Sequence, residues 1–234
     1  MKKLLIIPLL LACLATKANA GLTLNLNTGV YSSGAFISPG SRDDSYRLIA
    51  EPTPIPSVGA AAYVVPNSTF PIPPWYNTPG QSAQWISINA SGGESPAAPA
   101  GNYDYRITFN LPAWAVSSAK ITGQWSTDNT GNDIKINGAS TGQTIAYGTD
   151  GTYSFLTLHD FTVNSGFHSG NNTLDFLVHN GNGGSDTAGP TGLYVQANLT
   201  AVPEASTYFA GLGALALVGL FGSRRSNVIR IGSR

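Results

Sequence analysis

The sequence predicts an all-β protein, a single β-sandwich of the jelly-roll type, and three observations support this fold class. Short runs between residues 21 and 200 alternate apolar and polar side chains, as strands with one buried face do. Turn-forming Gly, Asn, Asp and Ser separate these runs. No long stretch has the 3.6-residue period of an amphipathic helix. Six to nine strands without a helical candidate are typical of a sandwich.

Five runs carry the strand pattern most clearly. In 102–111, every second residue from Tyr103 to Leu111 is apolar, which predicts one buried face. The run 173–180 predicts an inward apolar face, with Asp175 and His179 pointing outward. The remaining runs of this kind are 120–126, 133–137 (which ends at the turn pair Asn137-Gly138) and 193–199.

Nine of the fifteen prolines lie between Pro39 and Pro79. A Pro-rich stretch can be an extended linker. This one also contains Tyr46, Ile72 and Trp75, which is too much apolar surface for a solvated spacer. We therefore expect extended edge segments that lie over the sandwich and belong to the same domain.

The N-terminus has the organisation of a secretory signal peptide, residues 1–20. A basic pair precedes the apolar run 4–14, and small residues at Ala18 and Ala20 suit signal peptidase, with cleavage after Ala20. A lipoprotein signal acting on Cys13 is the alternative. If cleavage follows Ala20, the chain loses its one cysteine, and the exported protein has neither disulfide nor thiol chemistry.

The C-terminal segment 201–234 contains a second apolar run, about 208–222, followed by a basic pair. The run is shorter than the roughly 20 residues of a spanning helix. A weak membrane anchor with its basic end inside is one interpretation. The residues that define the other interpretation are Val202, Pro203, Glu204, Ala205 and Ser206 before the run, and Arg224 and Arg225 after it.

In this order the segment resembles the PEP-CTERM sorting signal of Gram-negative bacteria, with Ala205 where that family has its second proline. The resemblance implies processing by an exosortase-type enzyme and an inner-membrane intermediate held by the C-terminal helix. It also implies a final location at the cell surface or in the extracellular matrix. The region 21–200 then remains as the ectodomain.

The later half of that ectodomain is similar to a galactose-binding-type jelly roll. The similarity is carried by the order of three motifs: a Trp-containing run at 123–129, the Asn137-Gly138 turn, and a closing Gly-Leu strand at 189–193.

Charge and motifs exclude several functions. Between Gly21 and Pro203 there are five basic and eleven acidic residues, so this part lacks the basic cluster of a nucleic-acid-binding protein. His159, His168 and His179 have no metal-ligand spacing, and no G-x-S-x-G motif is present. We expect no enzyme activity and no cofactor.

Glycan binding has a positive argument, because sugar rings stack on aromatic side chains while Asp and Asn bind hydroxyl groups. Trp85 and Trp125 fall on inward registers and are expected in the core. A structural calcium held by Asp128 and Asp133 is left open. The glycan-binding candidates are Trp75, Tyr76, Trp114, Asp128, Asn129 and Asn180.

Taken together, the sequence predicts an exported, surface-sorted, non-catalytic protein of the envelope or exopolysaccharide matrix that binds glycans weakly. The alternatives are a purely structural matrix or adhesion protein without a discrete ligand, and a membrane-anchored lipoprotein.

Overall fold

The computed structural model describes residues 20–52, 59–148, 153–181 and 187–203. Within these ranges it confirms the all-β class, with eleven strands and one short 3₁₀ helix. The elements are β1 (Leu22–Asn25), β2 (Arg42–Ala50), β3 (Ala61–Val64), β4 (Ile86–Ser87), β5 (Gly101–Leu111), the 3₁₀ helix (Ala113–Ser118), β6 (Lys120–Asp128), β7 (Thr130–Ile136), β8 (Ala139–Ser140), β9 (His159–Val163), β10 (Gly170–Asn180) and β11 (Gly192–Ala201).

The strands pair antiparallel in the order β8-β7-β10-β5-β2-β3-β4-β11-β6-β9, and β1 pairs with β11. This sheet curls until its two halves face each other. Trp125 on β6 and Phe161 on β9 each lie with their ring centroid 5.7 Å from that of Phe176 on β10. The result is a jelly-roll β-sandwich whose core lies between the two halves.

The predicted inward faces are confirmed in the central strands. On β5, the alternate residues from Tyr103 to Leu111 are all buried. β10 pairs with β5 along its whole length and buries Leu174, Phe176 and Val178. The strand alternation therefore places these side chains correctly, because a period of two assigns whole faces at once.

The predicted exposure of Asp175 is wrong. Asp175 lies on the outward face of β10, yet it is only 2% exposed. Arg106 lies opposite on β5 and donates two hydrogen bonds to its carboxylate, at 2.6 and 2.8 Å. The guanidinium thus covers the carboxylate from solvent, which is the bidentate pairing that a buried charge requires.

The expectation of edge segments between Pro39 and Pro79 needs a similar correction. β2 lies between β5 and β3, so it is an internal strand of the sheet. The chain after β3 packs on the outer face of the sheet and builds a second core. This core consists of Val65, Ile72, Trp75, Ala83, Trp85 and Tyr194.

The side chain of Gln143 binds the backbone of β9, the strand at one edge of the sheet. Thr162 donates its backbone N–H to Oε1 of Gln143 at 2.9 Å, and Gln143 Nε2 donates to the carbonyl of Thr162 at 3.0 Å. The segment that carries Gln143 is bridged to β7 through Ile145 and Gly131. One glutamine amide therefore satisfies the backbone N–H and carbonyl of one residue on this edge, which makes pairing with another chain less favourable there.

The domain ends at a fixed point at the start of the predicted sorting segment. Ser118 donates its hydroxyl to the carbonyl of Val202 at 2.6 Å and accepts the N–H of Val202 at 3.1 Å. The apolar run of the signal peptide, Ala18, Cys13, and the tail from Glu204 through Arg224 and Arg225 lie outside the described residues. None of the helices in the described ranges has the length and apolar character needed to cross a membrane.

Candidate functional site

Asp128 lies at the C-terminal end of β6 and organises the loops around it. Its side chain is buried, with 4% of the residue exposed. Trp75 donates its indole N–H to Oδ2 at 2.8 Å, and Asn129 donates its amide to Oδ1 at 2.5 Å. Both carboxylate oxygens are thus bound by donors of the protein itself.

Burial changes the acidity of this carboxyl group. The desolvation of the charged form raises the pKa of Asp128 to about 7, although the hydrogen bonds from Trp75 and Asn129 act in the opposite direction. The group therefore titrates near neutrality instead of near pH 4.

Trp75 does not offer the exposed stacking surface that the sequence suggested. It is 2% exposed, and its ring centroid lies 4.4 Å from that of Trp85. The prolines around it bring the chain back onto the sheet, so the indole is packed in the second core. Trp85 and Trp125 are buried as predicted.

Asn129 and Asn180 hold strand ends together. Asn129 donates its backbone N–H to the carbonyl of His179 at 3.1 Å and accepts the N–H of Gly181 at 2.7 Å. Asn180 is buried and donates its amide to the carbonyls of Ala98 and Gly189. These contacts use the two side chains within the protein, so they position the loops and do not present hydrogen-bonding groups at the surface.

A partly exposed aromatic surface lies beside this network, and we call its residues Tyr147, Tyr153 and Phe155 the aromatic strip. Tyr147 and Phe155 are half-buried, and Phe155 also packs against the second core. The ring centroids of Tyr147 and Tyr153 are 5.3 Å apart. The rings of Tyr153 and Phe155 stack at 5.1 Å with their planes 12° apart. Tyr153 is 38% exposed. The strip therefore offers solvent an aromatic surface that Trp75 does not.

Hydrogen bonds from this network hold the backbone of the strip in place. Ser154, which lies between Tyr153 and Phe155 in the chain, is buried. Its hydroxyl donates to the carbonyl of Asn129, and its carbonyl accepts the hydroxyl of Ser126 at 2.7 Å. Tyr76 is half-buried and donates its N–H to the carbonyl of Phe155 at 2.7 Å. The pKa of the Tyr147 phenol is raised by burial, by the neighbouring Tyr153 and, to a smaller extent, by the charge of Asp128.

Tyr147, Tyr153 and Phe155 are not among the glycan-binding candidates predicted from the sequence, whose aromatic members are Trp75, Tyr76 and Trp114. The spacing of Tyr153 and Phe155 in the sequence gives no strand signal, because residues 153–156 form a turn in which the N–H of Leu156 donates to the carbonyl of Tyr153 at 3.0 Å.

Trp114 belongs to another part of the molecule. It lies in the 3₁₀ helix before β6 and packs, half-buried, against the main core. Asp128 is at the opposite end of β6, which at about 3.3 Å per residue is roughly 26 Å long. The structure therefore separates Trp114 from the other candidates.

The structural calcium at Asp128 and Asp133 stays a prediction, and both carboxylates accept hydrogen bonds within the protein. Asp128 is bound by N–H groups, which a cation would have to displace. Asp133 accepts the backbone N–H of Gly142 at 3.2 Å. Across the described ranges there is no group of three or more His, Cys, Asp or Glu side chains placed to hold a metal ion.

No protein-family model and no curated protein matches the chain. Among solved structures, CBM35 from Paenibacillus barcinonensis is 16% identical with a TM-score of 0.31, covering 66% of this chain and 94% of its own. The CBM36-1 domain of a multidomain xylanase from the hindgut metagenome of Trinervitermes trinervoides is 12% identical with a TM-score of 0.30, covering 80% and 100%. A family 35 carbohydrate binding module from Clostridium thermocellum is 15% identical with a TM-score of 0.28, covering 53% and 80%. At these values the similarities carry no argument about binding residues.

Replacement of Asp128 by Asn tests the buried carboxyl group. Because its pKa is about 7 when folded and about 4 when unfolded, the folded state binds the proton more tightly. The free energy of unfolding should fall as the pH rises from 4 to 7, by at most about 4 kcal/mol from this group. Asp128→Asn keeps an acceptor for Trp75 and should remove that slope, as measured by urea denaturation between pH 4 and pH 8.

Glu94→Gln, at an exposed loop position, is the matched control and should leave the slope unchanged. An unchanged pH dependence in Asp128→Asn would show that Asp128 is not the group that titrates.

Proposed function

We propose that this chain is an exported, non-catalytic protein of the bacterial envelope or exopolysaccharide matrix, and that it binds a glycan weakly on the aromatic strip. The observation that carries the binding proposal is the ring of Tyr153, which is 38% exposed and stacks on half-buried Phe155 next to Tyr147. Aromatic faces of this kind match the apolar C–H faces of sugar rings.

The buried network supports this proposal by making the strip rigid. Ser154 and Tyr76 hold its backbone, and Asp128 and Asn129 hold the loops beneath it. A surface that is already ordered loses little conformational entropy on binding. The residues Trp75, Asp128, Asn129 and Asn180 thereby act as positioning residues, in place of the direct contacts that the sequence suggested for them.

The two chain ends support the cellular part of the proposal. The signal peptide directs export by way of signal peptidase, and the segment from Val202 to Arg225 serves as the substrate signal of an exosortase-type enzyme. The inner membrane holds the intermediate, and the product is released to the cell surface or extracellular matrix of a Gram-negative bacterium. Since Val202 is fixed to Ser118, the tail begins directly at the end of the folded domain.

Intact-mass measurement of the secreted protein tests the processing. Both ends should be missing, with new termini near Ala20 and near Glu204. The variant Pro203→Ala should retain its tail, because it alters the motif before the apolar run. Recovery of a full-length chain in the inner membrane of cells that contain an exosortase would contradict the proposal, and a lipid on Cys13 would support the lipoprotein alternative instead.

Retention on the producing organism's own exopolysaccharide tests the binding. Tyr153→Ala should weaken retention by about 1–3 kcal/mol, the contribution of a large apolar side chain. Phe36→Ala is the control, since Phe36 is equally aromatic and 55% exposed but lies outside the strip. Trp75→Ala is unsuitable because it removes a buried side chain and the donor to Asp128.

Equal retention of Tyr153→Ala, Phe36→Ala and the unaltered protein, all folded, would refute the strip as a binding surface. The structural matrix or adhesion protein without a discrete ligand would then be the better description.

A further inference from the structure

A cleft of about 740 Å³ lies between the segment from Thr23 to Ser32 and the strands β2 and β5. Its volume is in the range of small-molecule binding sites. Buried Ile107 and Phe109 are part of its apolar lining.

The cleft is separate from the aromatic strip. Asn180, in the network beneath the strip, pairs with Gly101 at the start of β5, whereas the cleft is lined by the stretch of β5 from Arg106 to Asn110. At about 3.3 Å per residue, these places are roughly 16–30 Å apart along the strand.

Tyr31 is the exposed aromatic residue of the cleft, with 55% of its surface accessible. Its backbone is held in a tight turn. The N–H of Tyr31 donates to the carbonyl of Ala35, and its carbonyl accepts the N–H of Gly34, both at 2.8 Å. A ring on a fixed turn is a ready surface for a sugar ring.

Two cations line the same cleft as Tyr31. Between Gly21 and Pro203 there are five basic residues, and two of them, Arg47 and Arg106, line this cleft. They are direct partners across β2 and β5, an arrangement that like charges disfavour. The acidic residue among the described lining residues is Asp44.

The two guanidinium groups differ in what they already bind. Arg106 donates two hydrogen bonds, from Nε and Nη2, to the buried carboxylate of Asp175. Arg47 makes a 3.9 Å contact with Asp44, whose side chain is 81% exposed, and a long 3.4 Å hydrogen bond to the carbonyl of Gly59. Such contacts contribute little and are easily exchanged. Arg47 is therefore able to form a bidentate pair with an incoming carboxylate.

We propose that this cleft is a second saccharide site and that it binds an acidic sugar, one that bears a carboxylate. Tyr31 stacks on the sugar ring, and Arg47 binds the carboxylate while Asp175 keeps Arg106 neutralised beside it. The proposal does not depend on the aromatic strip. With both sites, one molecule would join two polysaccharide segments.

Oligogalacturonate is the probe, and the same oligomer with its carboxyl groups reduced to alcohols is the neutral control. The exported protein should bind the acidic oligomer and show at least tenfold weaker binding to the reduced one. Added salt should weaken the binding, because the contact is between exposed charges. Titration calorimetry measures both effects.

Arg47→Gln should lower the affinity for oligogalacturonate at least tenfold, and Tyr31→Ala should lower it as well. Arg42→Gln is the matched control. Arg42 is an exposed arginine that lies over the ring of Tyr63, outside the cleft, and its replacement should change nothing.

Equal effects of Arg47→Gln and Arg42→Gln, equal binding of both oligomers, or no binding of the acidic oligomer would each overturn the proposal. Tyr153→Ala separates it from the proposed function. That variant should keep its affinity for oligogalacturonate even where retention on the exopolysaccharide is lost at the strip.

Discussion

The hydrogen bond from the Trp75 indole to the Asp128 carboxylate joins two parts of the molecule that are far apart in the sequence. On one side is the Pro-rich chain that forms the second core, and on the other is the end of β6. Because both groups are buried, loss of either partner would leave a polar group without water or protein to bind it. The position of Asn129, and through it that of Ser154 and the aromatic strip, depends on this contact.

The strands could be predicted from the sequence because their signal is local. A face such as Tyr103 to Leu111 can be predicted from nine consecutive residues, and the structure buries all of it. The burial of Asp175 could not be read in the same way. It depends on Arg106, which is 69 positions away and meets it only through the register of β5 and β10.

The candidate site shows the same limit. Trp75 follows prolines, a context that favours an exposed loop, but its partner Asp128 is 53 positions away. The structure brings the candidates Asp128, Asn129 and Asn180 together at the ends of β6 and β10, where their side chains bind other groups of the protein. The exposure of Tyr153 depends on where the fold places its chain segment, which no local pattern in the sequence predicts.

Hydrogen exchange at the Trp75 indole N–H, followed by ¹H–¹⁵N NMR and assigned with Trp75→Phe, tests this account most directly. If the Trp75–Asp128 contact holds the fold together, this N–H should exchange as slowly as the backbone amides of β5 and β10, through global unfolding. Fast exchange of the indole N–H while those amides remain protected would show that the second core opens independently, and would contradict the account.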